Sequence, residues 1–160
     1  MKKLLSLIFL YNIAFAHPHY FIDVDLKINA NKIYHQWQFD RINSKILLFN
    51  FDKNRNNIFE KNESIDFYKT ILTPIKKDNF HLFIDSNTIE YKFKKLNDFK
   101  ISYTNKRLTI NFTTELQSLK ETTMCTIDSS VYMAFKLNSV DTTLKIQTQK
   151  SEYDFCIGTI

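Results

Sequence analysis

The chain has 160 residues, 44% of them hydrophobic and 24% charged, which is enough for one domain with a substantial core. Its formal charge of +5 falls to +3 once Lys2 and Lys3 are set aside, and so modest an excess, spread along the chain, argues against a nucleic-acid binder. One glycine and two prolines leave the turns to Asn, Asp, Ser and Lys, of which asparagine best tolerates a left-handed backbone.

Lys2 and Lys3, the apolar run Leu4 to Ile13, and small residues at Ala14 and Ala16 have the layout of an export signal cleaved after Ala16. Residues 1–16 are therefore read as a signal peptide and 17–160 as a single β-rich domain, with a helical insertion at about 41–73. No later apolar stretch is long enough to cross a bilayer, so the chain is not expected to span the membrane after cleavage. No lipobox cysteine stands at the cleavage site, and localisation is expected to be periplasmic.

Cleavage would leave His17-Pro18-His19 at the new terminus, followed by a strand from Tyr20 to Ile28. Alternation puts His17, His19, Phe21, Asp23 and Asp25 on one face and Tyr20, Ile22, Val24, Leu26 and Ile28 on the core face. His17 and His19, with Asp23 or the terminal amine, are candidate ligands for zinc, nickel or copper, metals that suit imidazole. Pro18 lacks the N–H that an amino-terminal square-planar copper or nickel chelate requires, which blocks that chelate. The bland alternative is a pair of polar residues on a frayed terminus, since two histidines do not complete a four-ligand zinc set.

A second strand follows at Ile33 to Asp40, with His35 on its apolar face as a core or edge histidine. From Arg41 the period becomes helical, with Ile42, Ile46 and Phe49 leading into Asp52 to Glu63. Set on an EF-hand loop, Asp52, Asn54 and Asn56 fall at positions 1, 3 and 5, the Ile58 carbonyl at 7, Glu60 at 9 and Glu63 at 12. Phe59 takes the apolar position 8. Asn57 replaces the glycine of position 6, and only three ligand carboxylates are present, so calcium affinity is expected to be weak, roughly 0.1 to 1 mM. The alternative is an Asn/Asp-rich turn that keeps the shape without the ion. Phe67, Tyr68, Ile71 and Leu72 continue at helical spacing until Pro74, which is expected to stop the second helix.

Beyond Pro74 the pattern is β. Phe80–Asp85 pairs with Thr88–Lys94 and Phe99–Tyr103 with Leu108–Thr113, and further strands are expected at Thr123–Ile127, Val131–Leu137, Thr143–Thr148 and Tyr153–Ile157. His81 falls on the first of these as a plain strand residue. The fold class is mainly β (α+β), an antiparallel β-sandwich with an inserted EF-hand-like helix-loop-helix. Cys125 and Cys156, an even pair in an exported chain, are expected to form a disulfide, with buried thiols or soft metal ligands as alternatives. No nucleophile elbow, zinc-protease helix or phosphate loop frames a catalytic group, and the chain is read as non-enzymatic.

The opening Ala16-His17-Pro18-His19-Tyr20-Phe21-Ile22-Asp23, Trp37-Gln38-Phe39-Asp40, the Phe51-Asp52 acidic loop and Asp128-Ser129-Ser130-Val131-Tyr132 resemble the bacterial family called domain of unknown function 1007. Its members are labelled periplasmic components of an uncharacterised ABC-type transport system. The resemblance implies association with nickel, cobalt or zinc uptake and an inner-membrane metal transporter as partner, without an established activity. The first expectation is a periplasmic metal-handling accessory protein; the alternative is a non-enzymatic interaction or scaffold protein whose calcium-binding loop is structural.

Overall fold

The computed structural model describes residues 18–86 and 89–160. The expected signal peptide and His17 lie outside the described residues. β1 (Tyr20–Asn29) and β2 (Lys32–Phe39) form a hairpin with Leu26 opposite His35. Their alternation is the expected one. Ile22, Val24, Leu26, Ile28, Ile33, His35, Trp37 and Phe39 are all buried, while Phe21 is half exposed.

α1 (Arg41–Phe51) starts on Asp40, whose carboxylate accepts the Ile42 and Asn43 amides and so satisfies two of the four orphan donors of the first turn. α2 (Lys61–Phe67) begins with a capping box in which Glu60 and Glu63 exchange side-chain bonds with one another's backbone. It widens into a π-helical turn at Tyr68–Leu72, closed by the Thr73 amide on the Tyr68 carbonyl. The second helix stops at Leu72, just before Pro74, as expected. The chain does not return to β at once, because Pro74 takes the first position of 3₁₀ turns over Pro74–His81, where its missing N–H costs nothing.

Among the described residues eight further strands follow: β3 (Leu82–Ser86), β4 (Ile89–Tyr91), β5 (Asn97–Thr104), β6 (Arg107–Glu115), β7 (Thr122–Thr126), β8 (Met133–Asp141), β9 (Ile146–Lys150) and β10 (Phe155–Thr159). They assemble into two five-stranded sheets, ordered β5-β6-β2-β1-β8 and β4-β3-β7-β10-β9. The fold is thus mainly β and sandwich-like, as expected. The pairings are antiparallel except for β1 with β8, which is parallel. One hydrophobic core joins both sheets and the helical insertion, with Trp37, Phe39, Phe67, Phe112, Phe135 and Phe155 fully buried.

Cys125 and Cys156 are directly opposed on β7 and β10, their Cα atoms 4.0 Å apart, and they form the expected disulfide. His81 departs from expectation. Asn79, Phe80 and His81 all carry positive φ, of 52°, 57° and 60°, so the strand starts at Leu82 and not at Phe80. The buried Asn79 amide holds this left-handed turn, donating to the Leu82 and Tyr91 carbonyls while its oxygen accepts the Phe93 N–H.

Candidate functional site

The start of β1 is fastened to two distant segments. The amides of His19 and Tyr20 both donate to the Tyr132 carbonyl, at 2.9 and 3.1 Å, and Asn43 Nδ2 donates to the His19 carbonyl at 2.8 Å. The His19 ring lies 4.7 Å from that of Tyr132, which is also in edge contact with Tyr20 at 5.5 Å. Pro18 is buried and His19 exposed. The segment leading into β1 is therefore held by its backbone while His19 is exposed at the surface.

Tyr20 and Tyr132 also line a cavity of about 330 Å³ that His81 and Asp128 share. Asp128 accepts from the Ser130 amide and hydroxyl and from the Met133 amide. Burial pushes its carboxyl up, but these donors outweigh that and hold it below the ordinary carboxylate range. His81 Nε2 stands 3.8 Å from Asp128 Oδ2, beyond hydrogen-bond reach. Burial lowers the His81 pKa, against the pull of Asp128 and Asp78, so the ring is neutral at pH 7 with a lone pair to offer. Sequence reasoning missed His81 because a strand was expected there. It singled out the Asp128 to Tyr132 segment only through resemblance; the signal that was available is the Asp-x-Ser pattern, which folds a short turn onto its own carboxylate.

Asp23 does not face this cavity's groups. Its carboxylate pairs with Arg107 at 2.7 Å, and Arg107 also donates to the Phe39 and Gln38 carbonyls. Asp25 accepts from Gln36, Asn138 and Ser139.

The Asp52 to Glu63 segment forms a second constellation. Asp52, buried at the end of α1, accepts the Asn56 and Asn57 amides. Buried Glu63 accepts the Lys53 and Glu60 amides. Asn57 adopts φ 63°, the conformation that position 6 demands. The oxygens of Asn54 and Asn56 accept the Asn56 and Ile58 amides, each with a second lone pair still available, while both side-chain NH₂ groups face Glu60. The set is all oxygen, which fits a hard cation such as calcium and not a transition metal. Turning the two amides toward Glu60 lets hydrogen bonds offset carboxylate charge within the loop. Among the described residues, no group of three or more His, Cys, Asp or Glu side chains is gathered closely enough to hold a metal ion.

A disulfide-closed β-sandwich with an EF-hand-like insertion is the class that this fold defines. The chain belongs to the family described as "Protein of unknown function (DUF1007)", whose model matches residues 3–158. No curated protein and no solved structure matches it. Among the described residues no helix is long and apolar enough to cross a membrane, and the disulfide is consistent with an oxidising compartment.

Proposed function

We propose that the protein is a periplasmic accessory to divalent transition-metal transport, gripping nickel, cobalt, zinc or copper through the His17–His19 end and passing it to an inner-membrane transporter. The observation that supports this most is the anchoring of His19 on Tyr132 at the rim of a cavity holding a neutral imidazole, His81, beside the Asp128 carboxylate. Imidazole donors favour borderline cations, and an anchored backbone lowers the ordering cost of recruiting them. The protein beginning at His17, titrated calorimetrically with zinc and nickel, is expected to bind close to one ion per chain. His17→Ala/His19→Ala should weaken binding at least about tenfold, the usual effect of disturbing a metal's ligand shell. Unchanged affinity in that variant overturns the reading.

A second reading rests on the acidic loop: a scaffold protein in which calcium, bound between Asp52 and Glu63, braces the insertion. The left-handed Asn57 and the inward Asp52 and Glu63 carboxylates support it. Calcium at about ten times its dissociation constant would stabilise the native state by roughly 1.4 kcal/mol. A melting temperature that rises with millimolar calcium in the parent and not in Glu63→Gln is expected; a calcium-insensitive melt removes this reading.

A further inference from the structure

We propose that the open edge of β5 and the groove beside it form a docking site for an extended peptide segment of another protein, one that alternates apolar and acidic residues. This is independent of the metal reading.

Among the described residues β5 is the end strand of its sheet, paired only with β6. Such a strand presents unpaired N–H and C=O groups, which invite another strand unless something covers them. A groove of about 620 Å³ runs beside it. Phe99, Lys100 and Ile101 all border this groove. Successive side chains of a strand point to opposite faces, so three consecutive residues meet one groove only where it follows the strand's edge. The opposite wall comes from the insertion, with Phe59, Ile65 and Tyr68. Phe99 packs edge-on against Tyr68 at 5.0 Å, joining the two walls.

The floor is apolar and the rim is cationic. Lys61 and Lys69 stand on the helical side and Lys100 on the strand side, all three exposed, and among the described residues no acidic side chain lines the groove. This combination selects the occupant. An added strand would satisfy the backbone groups of the edge, lay every second side chain on the apolar floor and present the intervening ones toward the lysines. Acidic residues at those intervening positions complement the charge. A fatty acyl anion would match the floor and the charge but would leave the strand's N–H and C=O groups unserved. The register of β5 against β6 shifts between Asn97 and Lys100, where Asp98 has φ 52°, which limits the regular edge to Lys100–Thr104. The docked segment is therefore short, about five or six residues at one peptide residue per strand position.

Isotope-labelled protein, titrated with a capped seven-residue peptide of alternating leucine and glutamate, tests this by backbone amide NMR. Expected are saturable shifts at Phe99 to Tyr103 and slowed hydrogen exchange at the outward β5 amides. A leucine–lysine peptide should bind at least about tenfold more weakly, as should the leucine–glutamate peptide to Lys61→Glu/Lys69→Glu/Lys100→Glu, since charge reversal acts on the same complementarity. The three positions are exposed, so this variant is expected to keep the parent spectrum elsewhere. Three results overturn the proposal: no binding; dodecanoate binding to the floor with the peptide failing to protect β5; or concentration-dependent self-association through β5 in sedimentation, which would make a second copy the occupant.

Discussion

His35 shows how much one buried ring can govern. It is 4% exposed, stacked on Phe112 at 4.5 Å, with Nε2 on the Thr114 hydroxyl and Nδ1 without a hydrogen-bond partner among the described residues. Desolvation pushes its pKa down to about 3. The unfolded chain takes up a proton near pH 6.5 that the folded chain refuses. Stability from this residue is therefore complete above pH 6.5 and lost progressively from there down to about 3. Acidifying from pH 6.5 to 5 should remove about 1.6 kcal/mol on this account. Urea midpoints measured across that range are expected to fall less steeply in His35→Phe than in the parent. His81, shifted in the same direction by burial, leaves a residual slope.

At the scale of the element, backbone conformation is the main surprise. Among the described residues eleven non-glycine residues carry positive φ. Asparagine-rich turns were foreseen, and Asn57, Asn79 and Asn105 bear that out. Ala30, Phe80, His81 and Val131 were not, because nothing in their side chains favours the left-handed region. In the β5–β6 hairpin Thr104 faces Arg107, so Asn105 and Lys106 form the two-residue turn, with φ 53° and 63°. Both central residues of this mirror-type turn need positive φ, and Asn-Gly is its preferred pair. Lys106→Gly is expected to relieve more strain than it adds in unfolded-chain entropy, a net stabilisation of about 0.5 to 1 kcal/mol by chemical denaturation.

The whole molecule is held by pairings that cross the chain. The path passes repeatedly between the sheets: β1 and β2 lie in one, β3 and β4 in the other, β5 and β6 in the first again. The Cys125–Cys156 bridge ties β10 to β7 across a separation of 31 residues. Cross-linking a loop of that size restricts the unfolded chain by about 3 to 4 kcal/mol. Cys125→Ala/Cys156→Ala should accordingly melt roughly 10 °C below the oxidised parent by calorimetry, and the parent under reductant should fall by a similar amount.

Local pattern was enough for the strands of the β1–β2 hairpin, the helix after Asp40, the EF-hand spacing with Asn57 at its sharp turn, and the cysteine pair. Each depends on residues within a few positions of one another, or on chemistry that needs no geometry beyond proximity. Tertiary structure alone placed β8 parallel to β1, bringing Asn138 to Asp25 across 113 residues. It also turned His81 into a cavity with Asp128, drew Asp23 to Arg107 and left β5 open beside the insertion. Those outcomes are set by which apolar faces bury one another once the two sheets close, and periodicity names a face without naming its partner.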